Sequence, residues 1–241
     1  MAAGIIVRGE TFPVLHPSTK QPMRVFAWSD PPGSGPRVPE FKAGDGYNKG
    51  RTKPVDLCVW HWTGGEAEPD RVAETLRKRK LGIEFAIGRT GAIYQFCDPA
   101  EVDTADAGIV NSRSVGVEIT CYGYAASVFD PLRALKVPRV PPLGRDRETY
   151  VAETHGRKVK TAKFYTPQIN AALGLADAIS AALGIPRQVP PEEEDGEFAN
   201  VLWPSEMRFR GHCGHYHITR KKRDPGPWFM DELGDHFEAA A

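Results

Sequence analysis

The sequence predicts an α/β fold. We expect a single domain with a mixed central β-sheet flanked by helices, an irregular N-terminal arm and a long basic insertion. Patterns of buried strands alternate with helical patterns between about residues 55 and 185, which is typical of a sheet covered by helices. The 241 residues are enough for one sizeable core, and the apolar fraction of 41% is ordinary for a globular protein.

Three segments have the composition of buried strands. The run VDLCVWHW at 55–62 is apolar, β-branched and aromatic, and Pro54 precedes it. Two apolar runs at 82–96, joined by Arg-Thr-Gly, predict a hairpin. A further short strand, SVGVEIT, begins at Ser114. These segments supply the strands of the predicted sheet.

Two segments have helical spacing. Residues 69–80 begin with proline, which suits a first helical turn, and place Val72 and Leu76 on one face. The segment TPQINAALGLADAISAALGIP carries an apolar stripe from residue 169 to residue 183, and Gly184 ends it. We expect both helices to pack on the sheet.

Two regions lack periodicity. Proline and glycine interrupt residues 1–52 so often that we predict an irregular N-terminal arm, followed by one domain over 53–236. Residues 123–164 are predicted to be an inserted loop of that domain. Residues 133–163 contain nine lysines or arginines against three acids, so the insertion is either a solvated loop or a surface that meets an anionic polymer.

Composition excludes several functional classes. Lysines plus arginines equal aspartates plus glutamates, 31 of each, so no overall field favours nucleic acid. No apolar stretch approaches the length of a membrane helix, and the amino end lacks a signal-peptide pattern. We expect synthesis in the cytoplasm without a signal peptide, with any export by another route. Four cysteines without CxxC spacing predict buried, reduced thiols.

Histidines and one aspartate form a candidate metal site. His61 ends the first predicted strand, and three more histidines, His212, His215 and His217, follow late in the chain. Asp224 comes shortly after them, before Pro-Gly-Pro. Catalytic zinc sites use three protein ligands and leave a fourth position open. The residues alone leave open which of the late histidines would be the middle ligand.

Several stretches in a fixed order carry a family resemblance. They are VWHWTGG at 59–65, GIEFAIGRTGAIYQF at 82–96, NSRSVGVEI at 111–119 and GHYHITRKKRDPGPWF from Gly214, with YTPQI at 165–169 as a weaker match. Over residues 55–230 the chain resembles the zinc-dependent N-acetylmuramoyl-L-alanine amidases of type 2. Peptidoglycan recognition proteins and phage lysozyme-amidases share the fold of that family.

The resemblance implies a zinc cofactor and a ligand set. His61 matches the first ligand of the family and Asp224 the late ligand. His215 best matches the middle ligand, with His212 as the alternative. His217 is then expected to face the substrate or to support the site.

The resemblance also implies catalytic residues. Glu118 matches the glutamate assigned as general base, and Lys222 matches the lysine that stabilises the transition state. Many relatives have Tyr-His where this chain has Ile83-Glu84, which makes Glu84 an outside candidate for the base. Many also have Trp-His-Ala-Gly at residues 105–108, where this chain reads ADAG.

The resemblance implies hydrolysis of the amide bond between N-acetylmuramic acid and L-alanine in peptidoglycan. Trp62 and Tyr94 are expected to line an open groove for the glycan strand and stem peptide. We expect a monomer that inserts into no membrane and binds no nucleic acid. The expected role is wall lysis by a phage or prophage endolysin that reaches the wall through a holin or another delivery route.

Four alternatives remain at this point. The chain is also compatible with a non-catalytic peptidoglycan-binding module of the same fold, with a cytoplasmic amidase that recycles wall fragments and with a delivered wall-degrading toxin. A different class of protein would use Cys213 and the neighbouring histidines as a closed structural zinc site.

Overall fold

The computed structural model describes residues 4–123, 147–191 and 209–240. The strands are β1 (Gly4–Val7), β2 (Glu10–Pro13), β3 (Val25–Ala27), β4 (Lys49–Gly50), β5 (Leu57–Trp62), β6 (Phe85–Ile87), β7 (Ile93–Gln95), β8 (Val102–Asp103), β9 (Ser114–Ile119), β10 (Thr149–Thr154), β11 (Arg157–Ala162) and β12 (Gly211–Gly214). The helices are α1 (Pro69–Lys78), α2 (Thr166–Leu183) and α3 (Pro227–Glu238), and two short 3₁₀ helices span Gly108–Arg113 and His215–His217.

Six strands form the central sheet, in the order β12-β5-β9-β6-β7-β3. Neighbouring strands are parallel except for β6 and β7, which pair as an antiparallel hairpin. The prediction of a mixed sheet flanked by helices is therefore confirmed. The predicted strands, the hairpin and both helices are all present within a few residues of their expected limits.

The two faces of the sheet differ in what covers them. Successive side chains of a strand point to opposite faces. On one face, Trp60 of β5 belongs to the large apolar cluster that α2 and α3 complete. On the other face, Leu57 and Val59 pack with Ala107 of the loop after β8, and Ala86 packs in a cluster that includes α1 residues. By alternation, His61 lies on this second face.

The N-terminal arm was predicted to be irregular, but part of it forms regular strands. Strands β1 and β2 form an antiparallel hairpin that contacts α2, and β3 pairs with β7 as an edge strand of the central sheet. Each strand has only two to four residues. Strands this short carry too little alternation to be recognised between frequent prolines and glycines.

The predicted inserted loop at 123–164 is partly a hairpin. Residues 124–146 lie outside the described residues, but β10 and β11 pair in antiparallel register. Their turn is His155-Gly156, with φ values of 54° and 70°, as a two-residue hairpin turn requires. This hairpin was not predicted from the sequence because prolines precede it and three of the six residues of β11 are basic.

The two ends of the segment 124–146 are held at the sheet. Buried Arg147 forms an ion pair with Glu66 through Nε at 2.7 Å and donates from Nη2 to the Thr120 carbonyl at 3.0 Å. Gly123 accepts a hydrogen bond from the Ala162 amide at 2.9 Å. These contacts join one end to β11 and the other end to Glu66 and to Thr120, which directly follows β9.

Two further expectations concern the described residues. No helix among them is long and apolar enough to span a membrane. The four cysteines are free and buried, in agreement with the prediction of reduced, packed thiols.

Candidate metal centre

His61 and Glu118 lie next to each other on adjacent parallel strands. Their Cα atoms are direct partners in the register of β5 and β9, so both side chains emerge on the same face, near the ends of their strands. A shift of one residue in either strand would separate them. The apolar runs on either side therefore fix the relative position of this histidine and this glutamate.

His215 and Asp224 reach the same place from the chain segment that follows β12. The Tyr216 amide donates to the Asp224 carbonyl at 3.3 Å, which closes this segment into a loop. His61 Nδ1 lies 2.9 Å from His215 Nδ1 and 3.0 Å from Asp224 Oδ2. His215 Nδ1 lies 3.2 Å from the same oxygen. Three ligand-type atoms thus form a nearly equilateral triangle.

Protons alone do not satisfy this triangle. If each Nδ1 donates its single hydrogen to Asp224, the 2.9 Å contact joins two donors. A cation bound by all three lone pairs removes the conflict. Donors to a tetrahedral zinc ion lie about 3.3 Å apart, close to the observed edges. The buried histidine, histidine and aspartate side chains therefore fit a zinc ion, and they form the one such group found among the described residues.

The other two late histidines lie elsewhere. His212 is the register partner of Cys58, so it points to the opposite face, where its ring nitrogens contact Trp60 Nε1 at 3.3 Å and Ser180 Oγ at 2.9 Å. It cannot replace His215 in the cluster, contrary to the alternative left open by the sequence. His217 is fully buried and its Nδ1 accepts a hydrogen bond from the Gly214 amide at 3.1 Å, which agrees better with the expectation that it supports the site than with contact to a substrate.

Negative charge surrounds His61. Burial opposes a charge on the ring, but hydrogen bonds to Asp106 and Asp224 and the charge of Glu118 outweigh it and raise the pKa of His61 to about 10. Burial would likewise raise the pKa of Asp224, yet hydrogen bonds from His215 and His61 hold it below its ordinary value. The pKa of His215 is lowered, first by burial. The negative groups around His61 would thus stabilise a positive ion at this site.

Glu118 has the properties of a proton acceptor at neutral pH. Burial raises the pKa of its carboxyl to about 7, against the opposing charges of His61 and Lys222. Its Oε2 atom is buried and has no hydrogen-bond partner among the described residues. An unpaired buried carboxylate oxygen costs stability and is retained where it serves a function.

Other predicted site residues are arranged less simply. Lys222 is exposed, and its charge lowers the pKa of both Glu118 and His215. Tyr94 lies on the same sheet face as Glu118 but is 9% exposed and packs against Phe26. Trp62 points to the opposite face from His61 and packs, half-buried, against the large apolar cluster. Trp62 therefore points away from the metal ligands, and the expected place of Tyr94 in a substrate groove stays a prediction.

Glu84 is not available as a base. It is fully buried, and its carboxylate accepts hydrogen bonds from Arg51 Nη2 at 3.1 Å, Thr104 Oγ1 at 2.7 Å and the Gly116 amide at 2.8 Å. Burial and the charge of Asp106 raise its pKa to about 7. Each oxygen already has a partner, which sets Glu84 apart from Glu118.

Asp106 lies beside the site but is not among the site residues predicted from the sequence. Its Oδ2 lies 3.2 Å from His61 Nε2. The only sequence signal was the departure from the family pattern at residues 105–108, since a single aspartate in a loop indicates nothing by itself.

Two histidines and an aspartate around one point are the donor set that catalytic zinc sites use, and a carboxyl group with a raised pKa lies beside them. The family model described as N-acetylmuramoyl-L-alanine amidase matches residues 51–227. The chain therefore belongs to the N-acetylmuramoyl-L-alanine amidase family. No curated protein matches the sequence.

Several solved structures resemble the chain at low sequence identity. The endolysin amidase LysCS from Clostridium intestinale URNW is 15% identical, with 85% of this chain and 95% of that chain covered and a TM-score of 0.44. The amidase AmiD from E. coli, in complex with an anhydro-muropeptide substrate, is 19% identical, with 76% and 57% covered and a TM-score of 0.45. Drosophila peptidoglycan recognition protein SD is 14% identical, with 85% and 89% covered and a TM-score of 0.42. The family assignment depends on the family model, not on these structures.

Proposed function

We propose that the protein is a zinc-dependent hydrolase that cuts the amide bond between N-acetylmuramic acid and L-alanine in peptidoglycan. The observation that carries this proposal is the unpaired carboxylate of Glu118, on the strand next to the triangle of His61, His215 and Asp224. A module that only binds the wall has no use for a buried base with a raised pKa.

Different residues of the chain have different roles in the reaction. The two histidines and the aspartate would hold the zinc ion, which would supply Lewis acidity to the substrate carbonyl and to water. Glu118 accepts the proton of the attacking water on its free oxygen and delivers it to the leaving nitrogen of L-alanine. Lys222 places positive charge beside the oxygen that becomes negative. Two neutral histidines and one carboxylate leave the centre with a formal charge of about +1.

The direct test is product analysis with purified sacculi. The wild-type protein is expected to release peptides with a free N-terminal L-alanine, to lose this activity when a chelator removes zinc and to regain it when zinc is added. Release of peptides cut at another bond would contradict the proposed specificity. If wild-type protein that contains stoichiometric zinc releases no peptide from any wall type, the chain is a binding module instead.

We further propose a lytic role, as in a phage or prophage endolysin, with access to the wall through a holin or another delivery route. This proposal is supported by the β1–β2 and β10–β11 hairpins, which lie outside the central sheet and offer additional surface for an extended wall polymer. Activity on intact sacculi should exceed activity on soluble anhydro-muropeptides. The reverse preference would indicate recycling.

A further inference from the structure

The imidazole of His61 is held from both sides. Its Nδ1 belongs to the ligand triangle with Asp224, and its Nε2 lies 3.2 Å from Asp106 Oδ2. The side chains of His61 and Asp106 are each 4% exposed. Because both partners are buried, water does not compete for the Nε2 contact, and the aspartate restricts rotation of the ring.

The sheet provides a specific place for Asp106. A Cβ atom at Gly116 of β9 would lie 2.1 Å from Asp106 Oδ2 and 2.4 Å from Ile83 Cδ1. Only glycine leaves room there for the carboxylate to lie against the strand. Gly116 and Glu118 emerge on the same face, so the space that admits Asp106 lies on the same strand as the proposed base.

Asp106 also has a buried support on its far side. Thr104 Oγ1 lies 3.5 Å from Asp106 Oδ1 and donates to Glu84 Oε2 at 2.7 Å. Glu84 in turn is paired with Arg51, whose Nη2 atom also donates to the carbonyls of Val102 and Ser114. This support ties the loop that carries Asp106 to β6 and β9.

We propose that Asp106 is a positioning residue for the metal centre. It accepts the hydrogen on His61 Nε2, which selects the tautomer with a free electron pair on Nδ1 and fixes the ring so that this pair points at the metal position. Asp106 does not touch the substrate or the metal. This inference depends on the proposed function for the identity of the ion.

The test compares the zinc dissociation constants of folded variants, measured by chelator competition. Asp106→Ala removes the acceptor and is expected to weaken zinc binding about 10- to 100-fold. Asp106→Asn keeps an oxygen acceptor without the charge and should bind zinc nearly as tightly as the wild type. If the alanine variant does not fold, Asp106→Ser, which is too short to reach the ring, replaces it.

The control is Ser180→Ala. It removes a buried hydrogen bond to His212 Nε2 on the opposite face of the sheet, so it should lower the free energy of unfolding of the metal-free protein and leave the zinc dissociation constant unchanged. A merely structural role for Asp106 would give its variants the same behaviour as this control.

Two results would overturn the proposal. The first is wild-type zinc affinity in Asp106→Ala or Asp106→Ser. The second is an equal loss of zinc affinity in the alanine and asparagine variants, because the charge of Asp106 rather than its orientation of the ring would then be the cause. If the proposed function itself is wrong, the wild-type protein will bind no zinc or will not cleave peptidoglycan, and this result is distinct from both.

Discussion

His61 and His212 are buried histidines on neighbouring strands, β5 and β12, yet they lie on opposite faces of the sheet. Carboxylates raise the pKa of His61 to about 10. Burial lowers the pKa of His212 to about 3, where the ring contacts Trp60 and Ser180. The same residue type thus takes opposite electrostatic roles within one sheet.

The difference teaches that the face of the sheet, rather than the residue type, decides which histidine can bind a metal. The His61 face collects Asp106, Glu118 and Asp224 around one ring. The His212 face offers an apolar core with only neutral hydrogen-bonding partners. A cation is stabilised on the first face and excluded by desolvation on the second.

The strongest way to test this comparison is His61→Ala. We expect the variant to lose bound zinc and more than about 10³-fold in activity, because Lewis acidity contributes several kcal/mol to such reactions. Metal analysis and peptide release from sacculi measure the two effects. Zinc retained at wild-type affinity would remove His61 from the ligand set.

Glu118→Gln should have the next largest effect. The amide cannot accept the proton of water, so activity should fall about 10²- to 10³-fold, while the zinc content stays at the wild-type level because no ligand is changed. Peptide release is compared with metal analysis of the same sample. Wild-type activity in this variant would eliminate Glu118 as the base.

The pH dependence of the wild-type enzyme checks the same residue. Burial raises the pKa of Glu118 to about 7, and only the deprotonated carboxylate accepts a proton. Activity should therefore fall as the pH is lowered through the apparent pKa of this carboxyl group. That pKa should lie above the ordinary carboxyl range but no higher than about 7, because a bound cation lowers it. The acid limb of kcat/KM measures it, and Glu118→Gln should lack that limb.

Lys222→Ala should have a smaller effect, about 10-fold in activity, because the exposed ammonium acts on the reacting oxygen through partly screened charge. Zinc affinity should change little. Lys221→Ala, the exposed neighbour on the same turn, is the matched control and should behave as the wild type. Equal effects of the two substitutions would indicate general attraction of the substrate rather than a specific role.

On the opposite face, His212→Gln should leave zinc binding and activity unchanged and affect only stability. The depressed pKa of His212 means that the unfolded chain binds more protons between about pH 6.5 and pH 3. Its contribution to the free energy of unfolding is thus complete above about pH 6.5 and declines towards pH 3. Denaturant unfolding at several pH values should show a weaker acid dependence for the variant, and a loss of zinc would contradict the comparison.

Sequence reasoning recovers the parts of the fold that have long or strongly patterned segments. The apolar run around His61 predicts β5 because six consecutive residues are nearly all apolar, and the stripe of α2 is long enough to be unmistakable. Strand β3 was missed because it has only three residues and pairs with β7, which lies far along the chain. The β10–β11 hairpin was missed because prolines precede it and its second strand is rich in basic residues.

The candidate site divides in the same way. His61, Asp224 and Glu118 lie within patterned motifs, so their proximity is predictable. The choice of His215 over His212 required the register of β12, because one residue of displacement decides the face. Asp106 required the complete fold, since its position depends on the space above Gly116.

The contacts of Arg147 indicate a place where the length of the chain can change without disturbing the central sheet. They hold the residue that follows 124–146 against Thr120, which lies just before that segment in the sequence, and against Glu66. Lengthening a closed loop costs little, about 0.6 kcal/mol for each doubling. The position is thus a natural junction for grafting, where segments of different length or binding preference can be exchanged while the catalytic sheet keeps its register.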